Sequence, residues 1–364
     1  MVNPRKLNLN KSKVKRSQRF FIGIIILIFI SFYIPVPYYV SMPGSAIELN
    51  SLVEVKGGYQ ESGNFMLTTV KVMPGTLSSF IYSQFSKNAE LIPKEYIMSD
   101  DEDPEDYTKR QLKVMSESQQ NSIIAAFNYL KLPIEVTDKG IVVMGLLSGV
   151  PSEKILKVGD LIIEVDDREI KRTDDLLSYF KEKEEGEIIN VTYIRDEEIR
   201  TSKIPLVNLV DDDQNNFSKK VGLGIYPSEE KEVITSKNIV FKTEDIGGPS
   251  AGLMFTLEII NQLIPNDLTK GYQIAGTGTI TPNGIVGQIG GARLKVKAAY
   301  EKGAEIFFVP KDTEVNDTNQ RDAENSNKDL GSPMKIISVS TISDAINYLE
   351  QLPVKETPVA ISNK

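Results

Sequence analysis

The sequence predicts an α+β protein with one N-terminal transmembrane helix followed by two or three compact units. Three observations carry this. The chain has 364 residues, enough for an anchor and several domains of ordinary size. An uncharged apolar run follows a basic N-terminus. Beyond it, segments with the two-residue alternation of strands interleave with segments of helical period.

The apolar run starts at Phe20, and no charged residue lies between Arg19 and Glu48. A hydrocarbon core of about 30 Å takes about 20 apolar residues as a helix, which places the anchor at 20–40. Arg5, Lys6, Lys11, Lys13, Lys15, Arg16 and Arg19 precede it, and basic residues favour the cytoplasmic side. Residues 1–19 are then cytoplasmic. Everything after Val40 is extracytoplasmic, a single-pass cell-membrane topology with Tyr33, Tyr38 and Tyr39 at the outer interface. The competing reading is a cleaved signal peptide, for which a weak site lies around Ser45 and Ala46.

The chain has no cysteine and no histidine. That excludes a Ser-His-Asp triad, a cysteine nucleophile, a Cys/His zinc site and a disulfide framework. Proton transfer near neutral pH must come from Asp, Glu, Lys, Tyr or a bound ion. The formal net charge of -8 argues against a nucleic-acid partner, which needs a concentrated basic face.

In the exported part, residues 64–72 alternate as a strand and 77–97 are weakly helical in pattern. Residues 116–130 form an amphipathic helix with Ile123, Ile124, Ala126, Phe127 and Leu130 on one side. The acidic run over 100–106 reads as a solvated loop or a helix start, and its spacing lacks an EF-hand pattern. Residues 312–331 are polar and charged, which predicts a mobile insertion. A strand and closing helix over 336–349 and a tail at 353–364 end the chain.

Residues 133–208 follow another order. A strand over 139–144 comes first, then a short helix after Pro151, the turn Lys157-Val158-Gly159-Asp160 and a strand over 161–165. A helix over 173–181 and a strand over 188–195 complete it. This resembles a PDZ domain of exported bacterial proteases, the Gly-Asp turn before an apolar strand being the most specific part. Such domains accept an extended peptide as a strand added to a sheet edge. By that resemblance Gly140, Ile141, Val142, Val143 and Met144 form the peptide-binding edge and loop. The alternative is a spacer that orients its neighbour and binds nothing.

The chemistry lies further on. A strand over 239–242 leads through Gly247-Gly248-Pro249-Ser250-Ala251-Gly252 into a strongly apolar helix. A serine at a helix N-terminus stands beside amide donors and the positive dipole end, both suited to an oxyanion. The same segment also reads as a glycine-rich loop with an N-capping serine. A strand over 275–281, the hairpin turn Pro282-Asn283-Gly284 and a return over 285–289 come next. Gly290-Gly291 then opens a helix containing Lys295 and Lys297.

Gly-Pro-Ser-Ala-Gly, Thr-Gly-x-Ile-Thr, Ile-Gly-Gly-x-x-x-Lys and Phe-Phe-Val-Pro, in that order, are similar to the proteolytic domain of Lon. The resemblance implies Ser250 as nucleophile, Lys295 as its general base and Thr277 as the residue that orients the lysine. Gly248, Pro249, Ala251 and Gly252 would shape the turn and the oxyanion site. Residues 63–75 and 116–130 look like the first strands and helix of the same domain. The implied fold is a Lon-type proteolytic domain over 41–132 and 209–352, with the PDZ-like β-barrel or sandwich inserted at 133–208. The order of anchor, Lon-like start, PDZ and Lon-like end resembles the YlbL-type Lon-like endopeptidases of Gram-positive bacteria. No cofactor and no metal is implied.

A free lysine, with a pKa of about 10.4, must fall to roughly 7–8 to accept the serine proton. That is on the order of 4 kcal/mol, within the range that burial of an amine supplies. Lys297, two positions on, points away and reads as a surface charge. Two positions depart from Lon, which carries acidic residues where this chain has Gly247 and Thr279. There is no Gly-x-x-x-x-Gly-Lys-Ser/Thr phosphate loop, so ATP is not an expected partner.

The expected function is an ATP-independent serine endopeptidase with a Ser-Lys dyad. It would be anchored in the membrane and cleave peptides, or exposed or unfolded protein segments, on the extracytoplasmic side. The PDZ domain would assist recruitment. The expected partners are peptide or protein substrates and the lipid bilayer, and an oligomer would follow by analogy with Lon rings. The alternative is a non-catalytic exported PDZ module on a degenerate Lon-like scaffold.

Overall fold

The computed structural model describes residues 18, 20–98, 102–209, 220–243 and 246–355. The expected basic N-terminus (apart from Gln18), the Asp211-Asp212-Asp213 run and the end of the tail lie outside the described residues. Two compact units are present, 1–44 with 69–100 and 45–68 with 101–364.

In the first unit residues 20–31 are helical, and Phe20, Phe21, Leu27 and Phe29 face solvent. The helix stops short of the expected anchor end at 40. Strand Pro35–Glu48 follows, with Tyr38, Tyr39 and Val40 opposite Pro93, Ile92 and Leu91 of strand Glu90–Pro93. Pro35 and Pro37 are the physical reason. Each lacks an amide donor and pushes the residue before it to extended backbone. Among the described residues no helix is long and apolar enough to cross a membrane. The weakly helical stretch resolves into helix Leu77–Phe85, capped by Thr76, and strand Glu90–Pro93.

The second unit is built on parallel strands Lys335–Val339, Ile306–Pro310, Gln273–Gly276 and the 64–68 part of Asn64–Thr76. Strand Ile306–Pro310 is buried throughout, as parallel strands covered on both faces are. Alternation assigns the faces. Phe65, Leu67, Ile274, Ile306 and Phe308 pack with helices Pro104–Leu130, Gly252–Leu263 and Ile342–Gln351. Met66, Ala275, Phe307 and Val309 pack with helices Ala292–Lys302 and Asn319–Asp329.

Helix Pro104–Leu130 is longer than the predicted 116–130. The acidic run is its start: the Asp103 carboxylate accepts from the Glu105 and Asp106 amides at 2.8 Å, with Pro104 at the first helical position. The expected mobile insertion at 312–331 is corrected. It contains helix Asn319–Asp329, which buries Asn319, Ala323 and Ser326 on one face. These three small or polar residues, spaced four and three apart, escape a search for apolar stripes.

Glu258 is buried and Glu61 half-buried in this unit, and burial pushes both carboxyls above the usual range.

The PDZ-like part has its own core, including Ile141, Val143, Ile162, Val191 and Ile204. The Gly-Asp turn is explained: Gly159 adopts φ 95°, and the buried Asp160 carboxylate accepts from Arg195 at 2.6 Å through both Nε and Nη2. Its sheet runs Ile225–Thr235, Ile134–Leu146, Leu161–Val165, Ile188–Arg195 and Glu198–Pro205. Ile225–Thr235, beyond the expected boundary at 208, joins this sheet by pairing along the whole of Ile134–Leu146.

Candidate active site

Ser250 stands in the turn before helix Gly252–Leu263. Helix Pro104–Leu130 holds this turn from one side. Gly248 N–H donates to Gln111 O at 3.1 Å, Ser118 Oγ donates to Pro249 O at 3.0 Å, and Ser122 Oγ donates to Gly252 O at 3.0 Å. Gly248 takes φ 91°, which a residue with a Cβ rarely adopts. A Cβ on Gly247 would lie 2.9 Å from Gln111 Cβ, so an acidic side chain has no room there.

Strand Gln273–Gly276 and the two residues after it hold the turn from the other side. Gly278 N–H and Thr277 Oγ1 donate to Ser250 O at 2.9 and 3.0 Å. Ala251 is buried beneath them. Thr279 lies in the short strand Thr279–Ile280, opposite Gly287.

Lys295 enters from helix Ala292–Lys302, which Gly291 opens at φ 72°. The side chain is 2% exposed. Its Nζ donates to Ser250 Oγ at 2.6 Å and to Thr277 Oγ1 at 3.0 Å. Burial lowers the Lys295 ammonium to about 7, the range a general base at neutral pH requires. Lys297 turns away to Glu301 at 3.7 Å.

Helix Asn319–Asp329 braces the lysine helix. Asn319 exchanges hydrogen bonds with the Ile289 backbone at 2.8 and 2.9 Å, and Ser326 Oγ donates to Arg293 O at 2.8 Å. The structure thus brings Ser250, Lys295 and Thr277 together, with Gly248, Pro249, Ala251 and Gly252 in the supporting turn. Sequence reasoning missed Gln111, Ser118, Ser122 and Asn319. The one available signal was the pair of small polar residues, four apart, inside an amphipathic helix.

Residues 243–351 match the C-terminal proteolytic domain of Lon protease (S16). Residues 128–206 match the PDZ domain. The chain is 32% identical to Lon protease of Neorickettsia sennetsu over 114 residues, 31% of this chain and 13% of the relative. It is 44% identical to Lon protease of Mesomycoplasma hyopneumoniae over 69 residues, 19% of this chain and 8% of the relative. It therefore spans a small part of the length of these curated relatives. Among solved structures, the PDZ domain of an SdrC-like protein of Listeria monocytogenes is 27% identical. That match covers 26% of this chain and 92% of that chain, with a TM-score of 0.23. A solution structure from Geobacillus thermodenitrificans is 30% identical and covers 24% and 97%, with a TM-score of 0.21.

The expected peptide edge of the PDZ domain is corrected. Gly140, Ile141, Val142 and Val143 are paired with Ile225–Thr235, and Ile141 and Val142 also with Leu161–Val165. Met144 belongs to the same internal strand. Ile141 and Val142, paired on both sides, therefore have no free edge for an added peptide. Ile225–Thr235 is an edge strand of this sheet, and helix Thr173–Phe180 lies beside it, with Thr173 N–H donating to Glu229 Oε1 at 3.2 Å. Gly222-Leu223-Gly224 turns into this strand with Gly224 at φ 70°. Pro227, which has no amide donor, suits an edge strand.

Proposed function

We propose that the chain is an ATP-independent serine endopeptidase, with Ser250 as nucleophile and Lys295 as general base. The observation that carries this is the 2.6 Å contact between Lys295 Nζ and Ser250 Oγ, made by an amine whose pKa burial lowers to about 7. In the reaction, Oγ attacks the scissile carbonyl carbon while its proton passes to Nζ. The resulting oxyanion meets amide N–H groups of the turn. Nζ returns the proton to the departing amine nitrogen, the C–N bond breaks, and an acyl ester on Ser250 remains. Water then attacks the ester, giving its proton to Nζ, and Oγ leaves as the hydroxyl when Nζ hands that proton back.

Helix 20–31, apolar and solvent-facing, supports a membrane anchor with the basic N-terminus inside and the catalytic part outside. The edge of Ile225–Thr235 supports recruitment of a peptide C-terminus, its carboxylate resting on amides of the 222–225 turn.

The test uses the full chain in detergent with an unstructured fluorogenic reporter and no ATP. Wild type should cleave it, and Ser250→Ala and Lys295→Ala should not. Full activity in both variants would overturn the reading. Alkaline extraction of membranes should leave the chain in the pellet; release into the supernatant would remove the anchor.

A further inference from the structure

The two peptide planes flanking Ser250 are each pinned at the carbonyl. Ser250 O, in the plane shared with Ala251, accepts from Gly278 N–H at 2.9 Å and Thr277 Oγ1 at 3.0 Å. Pro249 O, in the plane shared with Ser250, accepts from Ser118 Oγ at 3.0 Å, and at 3.3 Å from Gly252 N–H. Described peptide bonds are all trans, so in each plane the N–H points opposite to the C=O. Holding the Pro249 carbonyl against helix Pro104–Leu130 therefore aims the Ser250 N–H away from that helix. Holding the Ser250 carbonyl against Thr277 and Gly278 likewise aims the Ala251 N–H.

These two amides are the nearest in sequence to the attacking Oγ. Their directions are set by hydroxyls on elements remote in the chain.

We infer that Ser118 is a positioning residue for the reaction: its hydroxyl orients the Pro249–Ser250 peptide plane, and through it the Ser250 amide that receives the oxyanion. This rests on the Ser-Lys endopeptidase reading above. Ser118 is 4% exposed, and its hydroxyl reaches the loop across a separation of 131 residues. Ser122 Oγ lies 2.7 Å from Ser118 O and 3.0 Å from Gly252 O, its single proton serving one of them at a time. A hydroxyl that merely satisfied its own helix would bond four residues back; that of Ser118 leaves the helix for the serine turn. Because the oxyanion exists only after attack, the plane matters to the transition state and not to substrate binding.

The experiment measures kcat and KM for wild type, Ser118→Ala and Ser118→Cys on the reporter, with the inhibition constant of a peptide boronate that forms the tetrahedral adduct. Loosening one oxyanion donor should lower kcat about tenfold in Ser118→Ala, less than the loss expected on deleting such a donor. KM should stay within about twofold, and boronate affinity should fall in step with kcat. Ser118→Cys keeps the volume with a weaker donor and should fall between the two, which preserves the test where the alanine variant fails to fold. Gln119→Ala, which removes the hydrogen bond that the next residue of the same helix donates to Thr243 Oγ1, should keep wild-type kcat. Wild-type cleavage with unchanged kcat and boronate affinity in both Ser118 variants would overturn the positioning role alone. Absence of cleavage in the wild type would overturn the endopeptidase reading, and this role with it.

Discussion

Thr277 Oγ1 and Lys295 Nζ lie 3.0 Å apart, and the threonine hydroxyl has its proton committed elsewhere, to Ser250 O. It can therefore only accept from the lysine. With one N–H directed to Thr277, Nζ stands 2.6 Å from Ser250 Oγ, where the neutral amine can turn its lone pair to the serine proton. The site is a relay in which one threonine sets the rotation of the amine and also holds the serine carbonyl.

Thr277→Val keeps the shape and removes both hydrogen bonds. Positioned proton transfer contributes about 100-fold or more, and misaligning the base should cost a substantial part of it, on the order of tenfold in kcat. KM should change little. Steady-state kinetics on the reporter checks this, and an unchanged kcat would show that the lysine needs no second partner.

The pH dependence follows from Lys295. The reactive form is the neutral amine, and burial lowers its pKa to about 7. The kcat/KM profile should rise with pH through an apparent pKa near 7 and then level, the plateau lying above that value. A limb at the ordinary lysine pKa of about 10.4 would mean that the amine is not desolvated in solution.

The same burial has a stability consequence of opposite usefulness. The Lys295 pKa is about 7 folded and about 10.4 unfolded, so between these values the unfolded chain binds the extra proton and stability rises with pH. Lys295→Met removes the buried amine. It should be more stable than wild type by on the order of 2–4 kcal/mol at about pH 7, the gap shrinking toward about pH 10. Thermal unfolding at several pH values tests this; a variant less stable than wild type at neutral pH contradicts it.

Peptides ending in a free carboxylate should protect the amides of 222–230 and 173–180 from hydrogen exchange and leave 140–144 unaffected. C-terminally amidated peptides should bind more weakly. Protection confined to 140–144 would reinstate the internal strand as the binding edge, against its pairing with Ile225–Thr235 and Leu161–Val165.

Much of the site was legible from local pattern because its parts are local. Glycine at a tight turn, serine before an apolar helix and lysine one turn inside another helix each leave a short signature. The bracing elements leave none. Asn319, Ala323 and Ser326 form a buried stripe without an apolar run, and Ser118 reads as any small polar residue of an amphipathic helix. The anchor boundary failed for a different reason: a run without charge does not distinguish helix from strand, and Pro35 and Pro37 decide it.

The PDZ edge shows the same division. Residues 139–144 carry the strand pattern, and they do form a strand. Which strand stands at the edge is a question of pairing, settled when Ile225–Thr235, distant in the chain, covers one side of it.

By itself the sequence determined the chemistry on offer. With no histidine and no cysteine, it excluded the usual nucleophile–base sets, and the resemblance of two of its turns to Lon pointed to Ser250 and Lys295. Tertiary structure decided whether that pair works as one. Ser250 and Lys295 are forty-five residues apart, and packing buries the lysine and lowers its pKa to about 7. Burial, the orientation of peptide planes and the open edge of a sheet all depend on which distant elements meet, and residue pattern does not encode that locally.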